Sequence, residues 1–204
     1  MQHNAHSFQQ WLQQYSHKIA GLDEAGRGCL AGPVVAAAVV LPCQHNIVGL
    51  NDSKKLSPQK RLRLYHSIRT QACCVGVSCA PPTQVDRINV LQASLQAMHK
   101  AFIQAQANSC TQLTGAITDG PYKAPLPANI TQYARVQADA QWACVMAASI
   151  VAKVLRDRLM QLLHAYYPGY GFAQHKGYPT ALHRQAIKQL GICPLHRRSF
   201  AGVH

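Results

Sequence analysis

Two apolar segments near the N-terminus are joined by a glycine-rich bridge, and the first of them ends in two adjacent carboxylates. The first segment covers residues 18–23, and the second, rich in β-branched residues, covers 34–41. The bridge between them, Gly26–Pro33, is short and rich in turn-forming residues, so the pattern predicts two neighbouring antiparallel strands. Asp23 and Glu24 would then lie where the first strand is ending.

Later parts of the chain alternate between strand and helix patterns. Three further strands are predicted at residues 72–78, 116–118 and 133–136. No linker, repeat or low-complexity block divides the chain. We therefore predict one α/β domain over residues 18–204, preceded by a short Gln- and His-rich leader of residues 1–17.

Three helices have clear signals. Ser57 and Pro58 supply an N-cap and a first helical residue for a helix that ends near Arg69, and a second helix covers about 90–106. The third covers about 142–164. Its apolar side chains recur at steps of three and four, which predicts a buried stripe. The stripe consists of Val145, Ala148, Ala152, Leu155, Leu159 and Leu162.

The charge balance indicates a polyanionic partner. Twenty Lys and Arg residues against seven Asp and Glu residues leave a net charge of +13. Nucleic acid is the first candidate, because clustered cations gain affinity by releasing counterions from phosphates, although an acidic membrane surface could use the same charge. No apolar run is long enough to span a bilayer, and the N-terminal residues lack the apolar core of a signal peptide. We expect a cytoplasmic protein.

The eight cysteines include no Cys-x-x-Cys pair and mostly lie in apolar stretches. A zinc site and a disulfide framework are therefore not expected. The pattern predicts that most of the cysteines are reduced and packed in the core as small apolar side chains.

Asp119 and Asp139 repeat the arrangement of Asp23, because each follows a short strand candidate. The ends of strands line the ligand crevice of open α/β sheets, so these residues and Glu24 suggest one acidic pocket. Carboxylates without His or Cys suit Mg²⁺ or Mn²⁺. Two such ions, roughly 3.5 to 4 Å apart, support phosphodiester hydrolysis. The alternative is that each Asp only caps a turn or a helix.

The long helix also has a polar edge. Ser149, Lys153 and Arg156 fall at spacings of four and three, so they could hold a phosphate or form a solvated face. Asp157 follows Lys153 by four residues, and a local ion pair is its expected role.

These blocks resemble the bacterial ribonuclease HII family, and the resemblance spans residues 18–200. The matching blocks are Gly21-Leu-Asp-Glu-Ala-Gly-Arg-Gly28 with Ala31-Gly-Pro-Val34, Asp52-Ser-Lys-Lys-Leu-Ser57, Asp119-Gly120, Ala147-Ala-Ser-Ile-Val-Ala-Lys153 with Arg156-Asp157, His175-Lys-Gly-Tyr178 and His196-Arg-Arg-Ser-Phe200. The chain departs from the family pattern at Pro121, Ala138, Trp142 and Cys144.

The resemblance implies an α/β, RNase H-like mixed sheet flanked by helices, with a helical C-terminal segment. It also implies endonucleolytic cleavage of RNA in RNA–DNA hybrids and incision 5′ to single ribonucleotides in duplex DNA. Both reactions would leave 3′-hydroxyl and 5′-phosphate ends, and the second would remove misincorporated ribonucleotides. The cofactor would be Mg²⁺ or Mn²⁺, a replication or repair clamp is a candidate partner, and a monomer is the default state.

Individual roles follow from the same resemblance. The metal ligands would be Asp23, Glu24, Asp119 and Asp139. The substrate-binding residues would be Gly26, Arg27, Gly28, Ser149, Lys153 and Tyr178, of which the glycine-flanked loop and the tyrosine would contact the ribose 2′-hydroxyl. Taken alone, Tyr178 could equally be a half-buried loop aromatic. The basic segment 175–198, with Lys176, Arg184, Lys188, Arg197 and Arg198, would contact the duplex or form a solvated face.

Two other functions are compatible with parts of the sequence. Gly26–Ala31 fits the G-x-G-x-x-A pattern of dinucleotide-binding turns, but a strand is predicted where that motif requires a helix. A non-catalytic basic nucleic-acid-binding protein would explain the charge, and it would not depend on the carboxylates or on divalent metal.

Overall fold

Five strands form one mixed sheet. The computed structural model describes residues 16–203. The strands are β1 Ile19–Ala25, β2 Val34–Val40, β3 Cys74–Ala80, β4 Gly115–Asp119 and β5 Thr131–Arg135. Their order is β3-β2-β1-β4-β5, with antiparallel pairing among the first three and parallel pairing of β1 with β4 and of β4 with β5. The predicted antiparallel pair and the predicted mixed sheet are confirmed. Because β2 follows the glycine bridge as a strand, the dinucleotide-binding interpretation is wrong.

Helices cover both faces of this sheet. They are α1 Pro58–Gln71, α2 Pro82–Ile88, α3 Val90–Ala107, α4 Ala143–Tyr166, α5 Phe172–His175 and α6 Ala181–Leu190. Ser57 caps α1 as predicted, since its hydroxyl accepts a hydrogen bond from the Lys60 amide at 3.3 Å. The short helix α2 was not predicted from the sequence. Its two adjacent prolines hide a helix start, because proline is as common in turns as at a first helical position.

The core has one layer on each face of the sheet. On one face, Ala20 and Leu22 of β1 pack with Met98 and Phe102 of α3. On the other face, Ala25 packs with residues of α1 and α4. Alternate side chains of a strand point to opposite faces, so odd-numbered residues of β1 face α4 and even-numbered residues face α3. This alternation decides where the two adjacent carboxylates of β1 lie.

The predicted apolar stripe of α4 is correct only in the first half of the helix. Val145, Ala148 and Ala152 are buried against the sheet, but Leu162 is 66% exposed. In the second half, Arg156 and Met160 are buried instead. The reason is that α4 extends beyond the sheet, where its partners are the C-terminal residues that pack around Met160, so the buried side of the helix changes.

All eight cysteines are thiols, as predicted. The prediction that most of them pack in the core is wrong, because four are exposed: Cys43, Cys73, Cys79 and Cys110. Three of these lie in connections beyond strand or helix ends, and Cys79 lies on β3, an edge strand. Within residues 16–203 no helix has the length and apolar character needed to cross a bilayer. The predicted leader falls almost entirely outside the described residues.

Candidate active site

Three carboxylates converge at the C-terminal ends of the inner strands β1 and β4. Asp23 belongs to β1, Asp119 ends β4, and Asp139 lies in a single 3-10 turn, Ala138–Ala140, just before α4. One carboxylate oxygen from each lies within 4.8 Å of the others. The Ala138 amide donates a hydrogen bond of 2.8 Å to Asp119, which ties the turn to the end of β4. The Ala138 backbone thus makes the contact that orders this part of the site.

Glu24 lies apart from this cluster, although it lines the same cavity as Asp23 and Asp119. Strand β1 ends at Ala25, two residues beyond its predicted end at Asp23, so both carboxylates lie within the strand. Inside a strand the two side chains point to opposite faces, and Glu24 therefore projects toward the α3 side. There its carboxylate accepts a hydrogen bond of 3.2 Å from the Arg27 guanidinium.

Burial and mutual repulsion raise the proton affinity of the cluster. The pKa of Asp23 is raised well above its usual range by burial, and then by the charges of Glu24 and Asp119. Burial also raises the pKa of Asp139, with Asp119 as the next contribution. Burial raises the pKa of Glu24 as well, although Arg27 opposes the shift. The cluster therefore concentrates negative charge that a cation would neutralise.

Lys54 is a site residue to which the sequence analysis assigned no role. Its ammonium group lies 3.6 Å from an Asp139 carboxylate oxygen. Burial disfavours the charged form of Lys54. The negative charges of Asp139, Asp52 and Asp23 outweigh that effect and raise the pKa of Lys54. The Asp52-Ser-Lys-Lys block was the available signal, because it is one of the blocks that carry the family resemblance. Beside Lys54, the Ser53 hydroxyl is 2.8 Å from that of Ser149 on α4.

The donor set fits a hard divalent cation. The three converging ligands are all carboxylates, without His or Cys, as Mg²⁺ and Mn²⁺ prefer. The Asp139 oxygen that lies 3.6 Å from the Lys54 ammonium is buried and accepts no hydrogen bond within residues 16–203. A buried, unsatisfied carboxylate oxygen is costly, and a bound cation would remove that cost.

The loop Gly26–Gly28 forms another wall of this cavity, and Arg197 holds it from behind. The Arg197 side chain is fully buried. Its guanidinium donates to the carbonyls of Gly26 and Arg27, both at 2.7 Å, and to that of Gly32 at 2.9 and 3.1 Å. In a trans peptide the carbonyl and the next amide point in opposite directions. The amides of Arg27 and Gly28 therefore point away from Arg197.

Arg156 supports the same loop. It is fully buried and donates to the carbonyls of Pro33, Ala31 and Lys176 at 2.9 to 3.1 Å. A Cβ on Gly26 would lie 1.9 Å from the Arg156 Nε atom, and Gly26 has a φ of +98°, so only glycine fits. Arg156 does not belong to an exposed phosphate-binding edge, and Arg197 cannot contact a duplex. Both predictions were wrong because sequence spacing does not reveal which carbonyls surround a cation.

The other residues of α4 and the C-terminal segment that were predicted to bind substrate lie on the carboxylate cavity or on the surface. Ser149, Lys153 and Tyr178 all line the carboxylate cavity. The Lys153 ammonium donates to Asp157 at 2.8 Å, which confirms the predicted local ion pair. It also lies 5.2 Å from the centre of the Tyr178 ring, a distance typical of a cation–π contact. Arg184, Lys188 and Arg198 are exposed.

The fold described above is shared by solved ribonucleases of the H type. Ribonuclease H2 from Pyrococcus horikoshii superposes with a TM-score of 0.71 at 28% identity, covering 91% of this chain and 94% of that one. Ribonuclease HII of Archaeoglobus fulgidus, solved in complex with PCNA, superposes with a TM-score of 0.70 at 26% identity, covering 88% and 92% of the two chains. The fold is therefore the predicted RNase H-like one.

Sequence comparison identifies the family within that class. The family model of ribonuclease HII matches residues 20–203. Ribonuclease HII of Syntrophotalea carbinolica is 49% identical over 197 residues, which cover 96% of this chain and 91% of that protein. This chain belongs to the ribonuclease HII family, so it is an endoribonuclease of the ribonuclease H type that acts on RNA–DNA hybrids.

Proposed function

We propose that this enzyme also incises duplex DNA on the 5′ side of a single embedded ribonucleotide, by metal-dependent hydrolysis that leaves 3′-hydroxyl and 5′-phosphate ends. One observation carries the proposal. Asp23 and Asp119 of the carboxylate cluster line the same cavity as the loop Gly26–Gly28 and Tyr178. A hydrolytic centre and a set of groups suited to reading a 2′-hydroxyl are therefore adjacent.

The protein groups have separable roles in this proposal. Asp23, Asp119 and Asp139 would hold divalent cations, and Glu24 would join them after releasing Arg27. Two such cations would activate the attacking water and stabilise the leaving 3′-oxygen. The choice between Mg²⁺ and Mn²⁺ is left to experiment. Lys153 and Ser149 would orient the scissile phosphate from α4.

Recognition of the ribose would use the loop held by Arg197. Its outward-facing amides, together with the open space where a Cβ on Gly28 would lie, allow a close approach to the sugar. Tyr178 would place its hydroxyl on the 2′-oxygen and its ring on the neighbouring deoxyribose. Tyr178 as a whole is 36% exposed, so one part of it packs in the protein while another part remains open to substrate. A 2′-hydroxyl is the group by which a protein distinguishes RNA from DNA at one position.

The test is cleavage of an end-labelled DNA duplex that contains one ribonucleotide, with Mg²⁺, with Mn²⁺ and with chelator. An all-DNA duplex and a duplex with a 2′-O-methyl ribonucleotide are the controls. Metal-dependent incision on the 5′ side of the ribonucleotide, and of neither control, is expected. Tight binding without incision would leave only a basic nucleic-acid-binding role on this substrate.

Three further parts of the proposal concern the setting of the enzyme. A role in removing misincorporated ribonucleotides would place it in the cytoplasm with the chromosome. A replication or repair clamp is a candidate partner, which is supported by the Archaeoglobus fulgidus relative that was solved with PCNA. We propose a monomer in the absence of such a partner. Sedimentation of the chain with and without the clamp of its own organism tests both points.

A further inference from the structure

A second cavity, of about 510 Å³, lies beside the carboxylate cavity. The two cavities share the side chains of Lys153 and Tyr178. The rest of its wall comes from the start of α1, the middle of α4 and the segment Gln174–Lys176. A nucleic-acid strand that lies in the carboxylate cavity and passes Tyr178 would therefore enter the second cavity directly.

The charge of the second cavity selects an anion. Four cationic side chains line it against one carboxylate, so four minus one leaves +3: Arg61, Lys153, Arg158 and Lys176 against Asp157. His175 adds no charge at neutral pH, because burial lowers its pKa. The carboxylate cavity has no such excess, because Arg27, Lys54 and Lys153 balance its three carboxylates, so the second cavity is the more cationic of the two.

The cations differ in how many of their N–H donors already form hydrogen bonds. Arg61 donates to the carbonyls of Ser53 and Leu56, and Lys153 donates to Asp157. The Lys176 ammonium donates to the Ala173 carbonyl. Arg158 is exposed, and its side chain forms no hydrogen bond with residues 16–203. Its guanidinium carbon lies 5.3 Å from the centre of the Tyr65 ring.

The contact with Tyr65 restrains Arg158 without using its donors. A guanidinium stacked on an aromatic ring keeps the N–H groups at its edge available, and that edge matches two phosphate oxygens. Arg158 is thus a partly ordered anion ligand on the wall of a cationic cavity.

We propose that the second cavity binds a backbone phosphodiester of the cleaved strand, within two nucleotides of the scissile phosphate, and that Arg158 is its main ligand. The inference rests on the proposed function, because the shared residues Lys153 and Tyr178 connect the cavity to substrate only if the scissile phosphate lies at the carboxylates. The ligand class follows from the net charge and the unused guanidinium edge.

The test combines a charge-neutralising variant with substrates that lack one phosphate charge. Arg158→Gln should weaken binding of the duplex about fivefold, the effect of losing one exposed ion pair. It should also lower the slope of log affinity against log salt by about 0.9. Arg63→Gln is the matched control, since Arg63 is exposed on α1 and lines neither cavity. Thermal melting checks that both variants are folded.

Substrates with a single neutral methylphosphonate, scanned along both strands, identify the phosphate. The proposal expects one position on the cleaved strand where the substitution weakens binding to the wild-type enzyme and to Arg63→Gln, but not to Arg158→Gln. Equal losses for all three enzymes at every position, or a position found only on the complementary strand, would overturn it. Failure of the wild type to incise the unmodified duplex would instead count against the proposed function.

Discussion

Replacement of Asp23 by asparagine should stabilise the metal-free protein while abolishing cleavage. Asp23 is 5% exposed, and its carboxylate lies within 4.8 Å of those of Asp119 and Asp139. At that separation, and with an effective dielectric constant of about 20, each pair of ionised carboxylates repels by roughly 3.5 kcal/mol. Asparagine keeps the shape of the side chain and removes one of the three charges.

Proton binding limits the gain. Burial, Glu24 and Asp119 raise the pKa of Asp23, so the folded wild type can relieve repulsion by taking up a proton. A carboxyl group with a raised folded-state pKa destabilises the fold above that pKa, and the lost stability returns as the pH falls through it. We therefore expect the variant to gain about 2 kcal/mol at pH 8, or about 4 to 8 °C in Tm, and less at lower pH.

Thermal unfolding in chelator, followed by titration with Mn²⁺, measures both effects. The metal should raise the Tm of the wild type and raise that of Asp23→Asn much less. Asp157→Asn is the control, because Asp157 pairs with Lys153 at 2.8 Å and lies outside the cluster, so its loss should not stabilise the protein. Destabilisation of Asp23→Asn to the same extent as the control, or an undiminished response to metal, would refute the reasoning.

Four other predictions use different parts of the structure. Asp119→Asn should abolish cleavage and leave substrate binding largely intact, and incision near the wild-type rate would remove it from the ligands. Arg197→Met leaves three carbonyls without their donor, so chemical denaturation should show a loss of about 3 to 5 kcal/mol, and a loss below about 1 kcal/mol would contradict the supporting role. Burial lowers the pKa of His183 to about 4, so the unfolded state binds a proton first as the pH falls. The free energy of unfolding should then fall by up to about 3 kcal/mol between pH 6.5 and 4. An equally steep loss in His183→Asn would mean that other groups cause this pH dependence. Neutralising Arg184 and Lys188 together should lower the salt dependence of duplex binding, whereas an unchanged slope would mean that this face is merely solvated.

Local patterns in the sequence determined most of the secondary structure and the identity of the acidic residues. The glycine bridge before Val34 predicted the antiparallel pair, because its turn chemistry needs no distant partner. Asp119 and Asp139 were recognisable because each follows a short strand pattern. The parallel placement of β4 beside β1 then brought Asp119 next to Asp23. Local signals and the order of the strands together account for the convergence of these carboxylates.

Only the tertiary structure decided how the adjacent carboxylates divide between two faces and which cations are buried. Glu24 points away from Asp23 because β1 continues past it, and the length of a strand depends on the pairing of its neighbour. Arg156 and Arg197 look like surface cations in the sequence, yet each is enclosed by backbone carbonyls from distant segments. A charged side chain can be buried when such acceptors surround it, and their arrangement exists only after the chain has folded.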